Sequence, residues 1–210
     1  DGSAVVLPQG EPWKMRVPAA SFRVDGDTDP GLRHAATLCR RGDARKRVSS
    51  MPLGAGKGLK TSSDFMAMAF AEARLAAQRG EVPVGAVIVD PGARRILASA
   101  GNRTEGLCDP TAHAEMLAMR EAAAALRSPR LVGCDLYVTL EPCPMCATAI
   151  TFARIRRLYF AAYDVKGGGV EHGPRIFAQA TCHHRPEVYG GIDQTSAQDL
   201  LRDFFRARRL

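Results

Sequence analysis

The rhythm of apolar and polar residues divides the chain near residue 61. Before it, no period of about 3.6 or two residues is sustained, and Pro8, Pro12, Pro18, Pro30 and Pro52 interrupt each short apolar run. After it the pattern becomes regular. In SSDFMAMAFAEARLAAQRG, Phe65, Met68, Ala69 and Leu75 recur between a Ser/Asp start and the stop at Gly80, which predicts a helix. VPVGAVIVD is a β-branched run of the kind that forms a buried strand, and PGAR turns it into RILASAGN to make a hairpin. DPTAHAEMLAMREAAAALRS is an alanine-rich helix. DLYVTLEP is then a strand, CPMCATAITFARI a helix, RRLYFAAYD a strand and PRIFAQA a short helix. SAQDLLRDFFRARR makes a final helix, with Ser196 and Asp199 in the spacing of a capping box.

The order α-β-β-α-β-α-β-α-α is that of a sheet covered by helices, so the expected fold class is α/β. Connections through helices make the later strands parallel. Four strands are counted in this way. Residues 1–60 read as a flexible basic N-terminal extension without a core of its own, and residues 61–210 as the folded domain. Met51 stands just ahead of the first helix, which leaves open a start there or a genuine basic arm.

Composition changes this picture little: 46% hydrophobic residues is enough for a real core. No apolar run reaches the roughly 18 residues of a membrane span, and no secretory signal is visible near the start. The cytoplasm is therefore the expected compartment, where the six cysteines are thiols or metal ligands rather than disulfides. Charge is more informative. Residues 1–60 carry 11 Lys and Arg against 6 Asp and Glu, and residues 61–210 carry 18 against 16. The C-terminus is basic again at Arg202, Arg206, Arg208 and Arg209, opposed by Asp203. With Leu200, Leu201, Phe204 and Phe205 packed inward, Arg202, Arg206 and Arg209 would face an anionic partner such as nucleic acid.

Candidate chemistry sits at two helix starts. TAHAE opens one helix with His113 and Glu115, and CPMC opens another with Cys143 and Cys146, directly after a strand. Strand ends and helix N-termini are where α/β sites collect. Cysteines three apart share one helix face, and the helix N-terminus favours their thiolates. One nitrogen and two sulfurs form a mixed set suited to zinc, and three protein ligands rather than four are the pattern of a catalytic site. Glu115, two residues from His113, would flank the ion instead of binding it. Zinc lowers the pKa of a bound water to about 7. Glu115 is then placed to carry a proton from that water to a ring nitrogen and a leaving amine, which is hydrolytic deamination. A bare C-x-x-C is equally a redox motif or half a structural knot, and H-x-E alone says little; it is the pairing that carries the reading. Cys182, His183 and His184 are a second cluster, readable as a fourth ligand, another metal site, or ordinary loop packing.

HAE followed by PCPMC resembles the cytidine-deaminase superfamily, whose H-x-E and P-C-x-x-C signature is a known pattern. GEVPVGAVIV, GNRTEGLCDPTAHAE, LYVTLEPCPMCATAI, ARIRRLYFAAYD and LLRDFFRARR extend the likeness to bacterial tRNA-specific adenosine deaminases, from about residue 63 to 210. The resemblance implies a three-layer α/β/α sandwich around a five-stranded mixed sheet. It also implies conversion of adenosine to inosine at the wobble position of a tRNA anticodon by a homodimer. It makes His113, Cys143 and Cys146 the ligands of one zinc per subunit and Glu115 the proton shuttle. Asn102 would hydrogen-bond the target base, and Asp164 would lie near the substrate backbone.

Two features depart from that family. DVKGGGVEHGPRIFAQATCHHRPEVYGGI follows it loosely, and Gly167 to Gly169 read there as a mobile loop. The folded part is also only weakly basic. Two other functions therefore stand beside the first: a zinc deaminase of a free base or nucleoside (guanine, cytosine or adenosine), and a non-catalytic zinc module that binds RNA, against which Glu115 argues.

Overall fold

Thr61 and Asp64 close the first turn of α1 (Ser62–Gln78): the Asp64 carboxylate accepts the Thr61 N–H at 2.6 Å. The computed structural model of the chain describes residues 61–208; the extension expected over 1–60, Arg209 and Leu210 lie outside them. α1 buries Phe65, Met66, Ala69, Phe70, Ala73 and Ala76, which are three or four residues apart and so form one stripe.

The stripe lies on a five-stranded sheet ordered β2-β1-β3-β4-β5. β1 (Gly85–Asp90) runs antiparallel to β2 (Arg95–Gly101) and to β3 (Asp135–Leu140). β4 (Arg157–Ala162) and β5 (Glu187–Tyr189) continue parallel to β3. The hairpin and the parallel later strands match the sequence reading. β5 was not among the four strands counted there. It is three residues long, Glu187 and Tyr189 are exposed, and no apolar run marks it.

Alternate residues of each strand go to opposite faces. Ala86, Ile88, Leu136, Val138, Leu158 and Phe160 pack with Ala118 and Ala122 of α2 (Ala114–Leu126) and with Ala147 and Ile150 of α3 (Pro144–Ala153). Val87, Val89, Tyr137 and Ala161 pack on the other side with Phe65, Met66, Ala69 and Phe70 of α1 and Ala197 of α4 (Gln194–Ala207). The result is three layers, α/β/α. Each large side chain so buried contributes about 1.5–3 kcal/mol of transfer free energy.

α4 starts earlier than its sequence indicates. Its N-cap is Asp193, and Ser196 does not cap; its hydroxyl donates to Asp193 Oδ1 at 2.7 Å. The inward face is narrower too. Ala197 is buried and Leu200 packs on the core, but Phe205 is 43% exposed. Arg202 is paired with Asp199 at 2.7 Å, so it is not an open cation. Arg208 lies over the Phe204 ring, 4.3 Å from its centroid, and donates to the Gly80 carbonyl.

Candidate active site

β3 and β4 are parallel, so their C-terminal ends share one edge of the sheet. The chain leaves β3 through Glu141 and Pro142 and enters α3 with Cys143 as N-cap and Pro144 as the first helical residue, where a missing N–H costs nothing. α2 begins at the same place with His113 as its N-cap. Both N-caps have extended backbones, φ −68° and ψ 151° for His113, φ −66° and ψ 169° for Cys143. The sequence reading put both inside first turns; each sits one position before.

His113 Nδ1 lies 3.7 Å from Cys143 Sγ and 3.6 Å from Cys146 Sγ. The three ligand atoms lie within 4.8 Å of one another, and no other group among the described residues is so arranged. Nitrogen at about 2.0–2.1 Å and sulfur at about 2.3 Å from a tetrahedral zinc stand about 3.6 Å apart. The donor set therefore fits the ion in spacing as well as in chemistry.

Electrostatics points the same way. The Cys146 thiol hydrogen-bonds the Cys143 sulfur, which, with His113 beside it, pulls Cys143 down to about 4. The same bond, reinforced by burial and by Glu115, pushes Cys146 up. The hydrogen bond to Cys143 also raises His113. The protein alone thus stabilises one thiolate here, and a second requires a cation. Glu115, second residue of α2, is only 4% exposed, and burial pushes its carboxyl up.

Asn102 is buried beside the site, and its Oδ1 accepts the Ala114 N–H at 2.9 Å. It thereby satisfies a helix-end donor that His113, though N-cap, does not. Its Nδ2 remains a donor. Asp164 follows β4, and its Oδ1 accepts the N–H groups of Lys166 and Gly167 at 3.0 and 2.9 Å. Cys182, His183 and His184 do not join the metal cluster. Cys182 Sγ donates to the His184 carbonyl at 3.1 Å, and His184 Nε2 donates to the Ile155 carbonyl at 2.6 Å. Loop packing accounts for them.

The sequence reading passed over two buried carboxylates. Glu81 accepts the Thr104 hydroxyl and the N–H groups of Glu105 and Gly106, holding the loop after Asn102. Glu141 holds residues 164–172. The signal available for Glu141 was a carboxylate closing an apolar strand, which burial makes costly unless it is bonded. Gly167 to Gly169 also have another use than loop mobility: a Cβ on Gly169 would stand 2.6 Å from the Pro144 nitrogen, and one on Gly168 2.6 Å from the Glu141 carboxylate.

The cytidine and deoxycytidylate deaminase zinc-binding region matches residues 59–162. The tRNA-specific adenosine deaminase of Agrobacterium fabrum is 58% identical over 146 residues, 70% of this chain and 95% of that protein. This chain belongs to that family. The Aquifex aeolicus tRNA-specific adenosine deaminase is 46% identical over 146 residues, covering 69% of this chain and 94% of the relative. A solved structure from studies of A-to-I editing by tRNA:A34 deaminases at the wobble position superimposes with a TM-score of 0.64 at 56% identity, over 66% of this chain and 99% of that one. A guanine deaminase of Nitrosomonas europaea superimposes with a TM-score of 0.61 at 20% identity, over 76% of this chain and 98% of the other, a likeness of fold alone. The deaminase domain is a zinc-binding domain, and the His113, Cys143 and Cys146 group fits that metal.

Proposed function

We propose that the chain is a zinc-dependent hydrolase that converts adenosine to inosine at the wobble position of a tRNA anticodon. His113, Cys143 and Cys146 would hold the metal. The observation that carries the reading is the buried Glu115 carboxyl beside a His/Cys/Cys cluster with zinc spacing, in a chain 58% identical to a tRNA-specific adenosine deaminase. The metal, when bound, supplies Lewis acidity to the attacking water.

Glu115 moves the protons. It accepts one from the water as oxygen bonds to C6 of the adenine and passes it to ring N1; it then accepts the proton of the new C6 hydroxyl and passes it to the exocyclic amine. The C–N bond then breaks and ammonia leaves, so that adenosine and water give inosine and ammonia. Asn102 orients the base through Nδ2, since its Oδ1 is held by Ala114. Asp164 is fixed after β4 by its own turn, and its role would be to meet the substrate backbone. An anticodon loop suits such a pocket because its bases are unpaired and can be splayed into it.

A second copy of the chain completes the assembly. What supports a homodimer is an exposed apolar pair, Phe152 at 74% and Val132 at 72%, flanking the Leu131 N–H to Ala153 carbonyl bond. The described residues contain no helix long and apolar enough to cross a membrane. The cytoplasm, where tRNA is found, is the proposed location.

The test offers zinc-loaded protein an arginine-tRNA anticodon stem-loop beside free adenosine, guanine and cytosine. Inosine should form in the stem-loop alone. Glu115→Gln should keep its zinc and its fold and lose activity by at least about 100-fold. Ammonia from a free base with no inosine in the stem-loop would discard the RNA reading, and near wild-type turnover by Glu115→Gln would discard the proton carrier.

A further inference from the structure

Residues 164–172 leave β4 at the edge that carries the metal cluster, and one side chain holds them there. Glu141 Oε1 accepts the N–H groups of Val170, Glu171 and His172 at 3.1, 2.8 and 2.9 Å. Its Oε2 accepts the Asp164 N–H at 3.0 Å and pairs with His172 Nδ1 at 2.8 Å. The Glu141 side chain has no exposed surface. A carboxylate is costly to bury, and this one is tolerated because the segment closes around it with donors.

The same segment is pressed against the start of α3. The Gly169 N–H donates to the Pro142 carbonyl at 2.8 Å, and only a glycine fits at 169 beside Pro144. Residues 164–172 therefore form a wall next to Cys143. Its outer side begins with Tyr163, 37% exposed, Val165, 75% exposed, and the exposed Lys166. A ring, an apolar side chain and a cation together suit bases and phosphates of a single-stranded loop.

We infer that Glu141 is a positioning residue that fixes the 164–172 wall and through it the enzyme's affinity for the RNA loop. This rests on the tRNA-deaminase reading above. Glu141 has no exposed surface to offer a substrate, and its hydrogen bonds go to Asp164, Val170, Glu171 and His172; it acts through the segment it holds.

Glu141→Gln keeps size and one oxygen but turns an N–H donor toward the Asp164 N–H. In the zinc-loaded full chain, KM for the anticodon stem-loop should rise by about tenfold or more while kcat stays within about threefold. Zinc per chain should be unchanged, and amide exchange should accelerate at Asp164, which loses its acceptor, and at Val170, Glu171 and His172, whose acceptor loses its charge. His172→Gln removes only the ring contact, so it should raise KM less and leave Val170 protected. A general loss of folding would instead lower active fraction and kcat together without moving KM. Unchanged KM with unchanged exchange, or loss of zinc with unchanged KM, overturns the inference. If the wild-type chain does not act on the stem-loop, the proposed function falls separately, and the exchange measurement alone decides: undisturbed protection at Asp164 and at 170–172 in Glu141→Gln refutes the anchor.

Discussion

Gly169→Ala tests the contact between the 164–172 wall and the helix that carries both thiols. The new methyl would stand 2.6 Å from the Pro144 nitrogen, 2.7 Å from its Cα and 2.9 Å from the Cys143 carbonyl carbon. All three atoms are backbone, so no side chain can rotate away. Reaching an ordinary contact at 3.4 Å requires about 0.8 Å of separation. That exceeds the roughly 0.5 Å within which a functional site must be held. Overpacking of this kind costs about 1–3 kcal/mol, and in a domain of this size 1 kcal/mol moves the melting temperature by about 2–4 °C. The variant should melt about 2–12 °C below wild type with zinc present, and should surrender zinc faster to a competing chelator. Gly92→Ala is the control. Its methyl meets only Asp90 Oδ1, at 3.4 Å, so it should change stability by no more than about 0.5 kcal/mol. Thermal denaturation and chelator competition on both variants read the outcome. A Gly169→Ala protein that melts with wild type and holds zinc as tightly would show that the wall is not pressed on α3.

Other substitutions separate the remaining parts. Cys146→Ser removes a soft ligand, so metal analysis should find less than stoichiometric zinc, whereas Cys182→Ser should leave zinc content unchanged. Full zinc in the first, or loss of zinc in the second, would overturn the ligand set. Asp135→Asn loses the charge of a carboxylate that is 5% exposed and bonded by Arg156 Nε at 2.9 Å and Nη2 at 2.8 Å. Urea unfolding should show a loss of about 1–3 kcal/mol, and no change would mean the pair contributes nothing to the start of β3 and β4.

The sequence by itself determined the helices and four of the strands, because periodicity reports directly which positions are buried. It also supplied the donor set of the candidate metal site. His113, Cys143 and Cys146 offer one nitrogen and two sulfurs, a donor set that fits zinc, and Glu115 follows His113 by two residues at the start of one helix. What it did not determine is what depends on contacts between distant segments. β5 exists because residues 187–189 pair with β4, and its own side chains bury too little to announce it. Ser196 has a capping spacing, yet the turn at Asp193, with φ 59°, starts α4 sooner. Asn102 is read from the sequence as a base contact, and only the fold shows its Oδ1 accepting the N–H of Ala114, twelve residues on, at the start of α2. Gly167 to Gly169 looked like slack, and only packing against Glu141 and Pro144 shows that the missing side chains are required by space. Glu141 itself gave no periodic signal. A buried carboxylate becomes legible when its five donors, 23 to 31 residues away, are seen around it.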